Sequence, residues 1–180
     1  MKFVVFLVIL TTALFVHAKE KDSSIKKEDS QRVAEYTVVH NFKENDASSK
    51  WVTVNDNVMG GRSKGGFVIK KDRLIFSGAT NTNGGGFSSI RTKPSDFDLG
   101  DKTGLHIRYK GDGRTYKLGV RVEGKSVSYR SNFNTDSDLK GWREIKIPFD
   151  EMDVSWRGRP LSKEEYPMIK SKIHSIEFMI

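Results

Sequence analysis

The chain has 180 residues, a formal net charge of +8 at pH 7 and no cysteine. Without cysteine there is no thiol nucleophile, no zinc–thiolate centre, no iron–sulfur cluster and no disulfide framework. The cations are spread along the chain among apolar residues, as solvated strand faces require, and no nucleic-acid-binding motif accompanies them.

Residues 1–18 open the chain with Lys2, an almost wholly apolar run from Phe3 to Phe15, and Val16-His17-Ala18. A run of that length ending in Val-x-Ala reads as a secretory signal peptide, with cleavage expected after Ala18. It is short for a membrane span and has no arginine of a mitochondrial presequence, so no stable membrane insertion is expected after cleavage. Residues 19–35 follow with five cations, five anions and few apolar groups. Such a segment has little to bury against its ordering entropy and reads as a charged disordered linker. Residues 36–180 have the size of one domain with one core.

From Tyr36 onward the pattern has period two. Strands are expected at 36–42, 51–54, 67–70, 74–78, 87–92, 142–148 and 173–180. Leu105, Ile107 and Tyr109 alternate with His106, Arg108 and Lys110; after Gly111-Asp112-Gly113, Tyr116, Leu118, Val120 and Val122 alternate with Lys117, Gly119, Arg121 and Glu123. Gly124-Lys125 then leads into Val127, Tyr129, Ser131 and Phe133, so three consecutive strands read as one antiparallel meander with Arg108 and Arg121 on its polar face. One short helix is expected at 162–170, with Ser162 as N-cap and Pro167 limiting its length. The fold class is all-β, an antiparallel sandwich or jelly roll.

The chemistry-bearing patterns are few. There is no nucleophile elbow, no zinc-protease helix and no P-loop, and Asn83-Gly84-Gly85-Gly86 lacks dinucleotide-fingerprint spacing. His40, His106 and His174 are isolated on strand candidates, and Asp56, Asp112 and Asp136 read as turn caps before calcium ligands. No catalytic residue, cofactor or metal site is expected. The segment Trp51-Val-Thr-Val-Asn55-Asp56-Asn57-Val58-Met59-Gly60-Gly61 is a strand running into a tight turn, with Val58 and Met59 expected as packed apolar plugs.

That segment, followed by Ser63, Phe76-Ser77-Gly78, Asn83 to Arg91, Gly111 to Arg114 with Tyr116, Phe133, Trp142, Pro148-Phe149 and Arg157-Gly158, resembles the complex I intermediate-associated protein 30 (CIA30) family. The resemblance implies a galactose-binding-like β-sandwich related to carbohydrate-binding modules, without catalytic chemistry. It also implies a further strand after Ile180, typically with Gly-Pro-Phe, which this sequence does not contain. Carried onto this sequence, it implies a ligand face including Arg91, Arg108 and Arg121, with Asp56 and Asn57 at its rim. The competing reading pairs these arginines with carboxylates as scaffold, and Trp51 and Trp142 are expected in the core before a ligand platform. The leader favours a secreted module for a protein or glycan ligand; the family's mitochondrial members favour a role in respiratory complex I assembly.

Overall fold

The computed structural model describes the backbone of residues 3–18 and residues 36–83, 86–136 and 141–180. The linker expected at 19–35 lies outside the described residues. The protein is an antiparallel β-sandwich. In chain order its strands are β1 (Phe3–Ala18), β2 (Tyr36–Asn41), β3 (Trp51–Asn55), β4 (Lys64–Ile69), β5 (Leu74–Asn81), β6 (Ser88–Thr92), β7 (Lys102–Lys110), β8 (Thr115–Val122), β9 (Ser128–Asn134), β10 (Arg143–Pro148), β11 (Asp153–Trp156), β12 (Arg159–Pro160) and β13 (Ile173–Met179).

A six-stranded sheet runs β10-β7-β1-β5-β4, with β2 also paired to β1; a seven-stranded sheet runs β12-β11-β9-β8-β13-β6-β3. Alternating residues of both sheets meet in one core. Leu74, Phe76, Leu105 and Ile107 come from the first sheet, and Ile90, Tyr116, Leu118, Val120, Ile176 and Phe178 from the second. Aromatic rings close one end, where Trp51 lies 6.1 Å from both Phe42 and Phe178 and 5.1 Å from His40. Trp51 is therefore core, as expected of a tryptophan that opens a sandwich strand.

Two placements differ from the sequence reading. The chain does not make a three-strand meander, because β7 belongs to the six-stranded sheet while β8 and β9 belong to the other. The Gly111–Gly113 turn carries the chain across the core, and Gly111 packs against Thr135 where a side chain would collide. Only β8 and β9 form the expected hairpin, with Gly124 at φ +71° in the turn. The piece at 162–170 is no helix. Ser162 Oγ does accept from the N–H groups of Glu164 and Glu165, but Pro167 follows at once, and a 3-10 turn forms only later, at Lys170–Lys172.

The apolar opening also has a place in the sandwich. Residues 3–18 form β1, which pairs antiparallel with β7 on one side and with β5 and then β2 on the other. A strand paired along both edges reads as a continuous apolar run, and this one is rich in Val, Leu and Phe. The composition that suits a leader also suits a central strand.

Candidate functional site

The Asp56 motif is a scaffold knot. Asp56 opens a 3-10 turn at Asp56–Met59 and is buried, and Gly60 ends the turn at φ +82°. The Asp56 carboxylate accepts from the Ser63 N–H at 2.8 Å and from the Ser63 hydroxyl at 2.6 Å; that hydroxyl in turn accepts from the Asn81 N–H at 2.9 Å. A side chain at Gly61 would collide with this carboxylate, and one at Gly86 would reach its Oδ2 at 2.7 Å. Gly60 is thus required by its positive φ, and Gly61 and the last glycine of Asn83–Gly86 by close approach. Gly84 and Gly85 lie outside the described residues. Asp56 is buried and engaged in these bonds, whereas Asn57 stands exposed beside a shallow groove with Asn55 and Arg62. Val58 and Met59 are 67% and 70% exposed, so neither plugs the turn; the knot is held by Asp56 instead.

The other expected site residues separate. Arg108 is on β7 of the six-stranded sheet, 3.7 Å from Glu144 and with its guanidinium 5.3 Å from the centre of the Trp142 ring. Arg73 and Lys110 approach the same ring at 5.6 and 5.2 Å. Arg108 therefore shares no face with Arg121. The period-two pattern placed both opposite an apolar face, but their strands lie in different sheets and those faces point away from each other.

Arg91 and Arg121 do come together, on the outer face of the seven-stranded sheet, with two residues that the sequence reading missed. Strand register sets one row across the sheet: Val52 on β3, Arg91 on β6, Glu177 on β13, Gly119 on β8, Arg130 on β9 and Asp153 on β11. Arg121 lies on the same face two residues along β8, since Val120 and Val122 point into the core. All three arginines turn toward Glu177. Arg91 Nε lies 3.0 Å and Arg121 Nε 3.3 Å from Oε2, and Arg130 Nε donates to Oε1. The Arg91 N–H is not aligned with its oxygen, so that contact is an ion pair without a hydrogen bond.

Gly119 makes the convergence possible. A Cβ there would stand 2.7 Å from Arg130 Cγ and 3.2 Å from Glu177 Cγ, so its absence lets the Arg130 side chain cross β8. Glu177 is fully covered, while the Arg130, Arg91 and Arg121 side chains are 14%, 19% and 26% exposed. Burial pushes the Glu177 pKa up, but the joint attraction of Arg130, Arg121 and Arg91 outweighs it and holds the carboxyl below its ordinary range. Burial lowers the Arg91 pKa; Glu177 opposes that shift and the neighbouring arginines add to it.

Nothing local in the sequence marks Glu177. The available signal was its parity: in Ile176-Glu177-Phe178 it lies between two core residues and must face outward beside Arg91 and Arg121.

The comparisons agree with this architecture. Residues 40–180 match the model of the complex I intermediate-associated protein 30 (CIA30) family. The mouse (Mus musculus) complex I intermediate-associated protein 30, mitochondrial, is 25% identical over 166 residues, 79% of this chain. The chain spans about half the length of that relative, with 50% of it covered. Among solved structures, two of family 11 carbohydrate-binding modules from Clostridium thermocellum share the fold at 18% identity. One, in complex with a β-1,3-1,4-mixed-linked tetrasaccharide, has a TM-score of 0.55 over 72% of this chain and 78% of its own. The other, from the cellulosomal cellulase Lic26A-Cel5E, has a TM-score of 0.56 over 72% and 77%. With the match running across most of the chain, from the aromatic end of the core to the last strand, this protein belongs to the CIA30 family.

Proposed function

We propose that this chain is a non-catalytic binding module that engages a protein partner during assembly of a larger complex, respiratory complex I being the first candidate. The observation that carries this reading is the family match over residues 40–180, together with a mitochondrial relative named for a complex I intermediate. The site supports the non-catalytic part. A glycosidase-type acid needs a carboxyl whose pKa is raised beside a second carboxylate; Glu177 is held ionised by three guanidiniums and has none beside it in that cluster. Placement of residues 3–18 as an interior strand supports their retention in the working protein.

A second reading, a secreted module for a protein or glycan ligand, is favoured by the leader-like composition of residues 1–18 and by the likeness to carbohydrate-binding modules. No nucleic-acid partner is part of either reading. Expressing the full chain with a C-terminal fluorescent tag separates them. Mitochondrial accumulation with residues 3–18 still present on N-terminal sequencing is expected. Appearance in the medium with Lys19 as the first residue would overturn the assembly reading in favour of secretion.

A further inference from the structure

We propose that the outer face of the seven-stranded sheet carries an anion-binding site, formed by Arg91, Arg121 and Arg130 on a Glu177 pedestal, that takes an Asp or Glu carboxylate of an acidic partner segment. The inference rests on the reading of the chain as a protein-binding module and names the chemistry of the partner.

Charge count comes first. Three guanidiniums surround one carboxylate, so the cluster keeps an excess of positive charge on a sheet face where its members are only 14–26% exposed. A scaffold ion pair that merely neutralised Glu177 would need one arginine; each further one adds like-charge repulsion and desolvation.

Direction of the donors comes second. Every contact to Glu177 uses an Nε atom. Among the described residues, none of the terminal guanidinium nitrogens has a hydrogen-bond partner. Glu177 therefore fixes the inner edge of each guanidinium and leaves the outer edge, the edge that accepts a carboxylate through two parallel N–H···O bonds, unused. Preorganisation of this kind removes the side-chain ordering cost that free surface arginines would bear on binding.

The surroundings decide the class of partner. Strand alternation puts Val52, Val54, Ser89, Lys117 and Asn132 on the same face, and no aromatic residue. A sugar platform needs an exposed ring on this face; Trp51 is in the core, Trp142 lies beside the other sheet, and Trp156 on β11, 43% exposed, shares the parity of the buried Val154 and not that of the arginine row. Asp153, in the same row beside Arg130, is solvated and lies 3.8 Å from Lys163. With Glu177 outnumbered by three guanidiniums and no ring in the arginine row for a sugar, the face fits an acidic peptide better than a glycan.

The test uses the full chain with 15N-arginine, following the Nε–Hε signals while acetyl-(Glu)6-amide, acetyl-(Gln)6-amide or oligogalacturonate is added. Saturable shifts confined to Arg91, Arg121 and Arg130, at an affinity for (Glu)6 at least tenfold above that for (Gln)6, are expected. Arg121→Ala, which leaves Glu177 two counter-ions, should weaken (Glu)6 binding at least tenfold with the unfolding midpoint within a few degrees. If that variant does not fold, Arg121→Gln serves in its place. Absence of shifts at these three arginines, or equal affinity for the two peptides, would overturn the site. Tight oligogalacturonate binding without (Glu)6 binding would overturn the peptide partner. The tag experiment above reads localisation alone, so its failure and the failure of this site are told apart.

Discussion

The two sheets of the sandwich share one core but differ in how each is completed and in what each shows to solvent. The six-stranded sheet depends on β1, which precedes the other strands of its sheet by residues 19–35 and pairs with β7, β5 and β2. Its outward cations gather over the Trp142 ring. Such contacts are worth about 0.5–1 kcal/mol where solvent is close. The seven-stranded sheet is built wholly from strands after residue 50, and its outward cations converge on one covered carboxylate. Similar residue types thus make a loose cation–ring cluster on one face and a fixed, preorganised cluster on the other. The difference lies in register: on the second sheet Glu177 and Gly119 fall in the same cross-strand row as Arg91 and Arg130.

The contrast is broken most severely by deleting residues 1–35. If β1 completes the six-stranded sheet, two facing strand edges lose their partner. The loss should then be on the order of the whole stability of such a domain, ~5–15 kcal/mol, seen in urea unfolding as a non-cooperative transition with dye-binding apolar surface. An unchanged, cooperative transition would show β1 to be dispensable.

Next in size is Glu177→Ala, which leaves three half-buried guanidiniums without their common anion. A loss of about 3–5 kcal/mol is expected, with its seat in the seven-stranded sheet, measurable as lost amide protection in β13 and β8. Glu177→Gln should fall between this and the parent, keeping the shape but not the charge.

Acid acts in the same direction at two places. Burial, with help from Lys50, holds the His40 pKa down to about 4, against 6.5 in the unfolded chain. The folded state thus resists a proton that the unfolded state binds, so stability falls as pH drops from 6.5 toward 4, by at most about 3 kcal/mol. Glu177, whose pKa is depressed, adds a loss at lower pH still, as the medium passes below the ordinary carboxylate value toward its own. His40→Gln should flatten the upper window and leave the lower one. A profile unchanged between pH 6.5 and 4 in the parent would contradict the burial of a neutral His40.

The smallest effect belongs to the other face. Arg108→Ala removes a pair to Glu144 at 3.7 Å between half-exposed side chains and one of three cations over Trp142. Less than about 1 kcal/mol should be lost, by urea unfolding.

Much of the fold was legible because period-two alternation is a local signal: β3, β5, β6, β8, β9, β10 and β13 fall within a few residues of where alternation puts them. What a local signal cannot carry is which sheet a strand joins. Gly111-Asp112-Gly113 reads equally as a hairpin and as a crossing of the core, and that ambiguity put Arg108 beside Arg121. The apolar run at 3–18 is similarly double-valued between leader and interior strand. Asp56 reads as a rim residue in sequence because its partner Ser63 is seven positions away, and only the fold shows its carboxylate engaged by the Ser63 N–H and hydroxyl. Arg91 and Arg121, both named from the sequence, meet in one cluster; Arg130 and Glu177 are not legible there, since their pairing exists only in cross-strand register.

The central claim is that ligand recognition belongs to the Glu177 face and not to the Trp142 face. The most direct measurement is calorimetric titration of acetyl-(Glu)6-amide into the parent chain, Arg121→Ala and Arg108→Ala at one ionic strength. The account predicts at least a tenfold loss of affinity for Arg121→Ala and less than a twofold change for Arg108→Ala. Equal losses in the two variants would contradict it, because binding would then follow overall charge and not the built face.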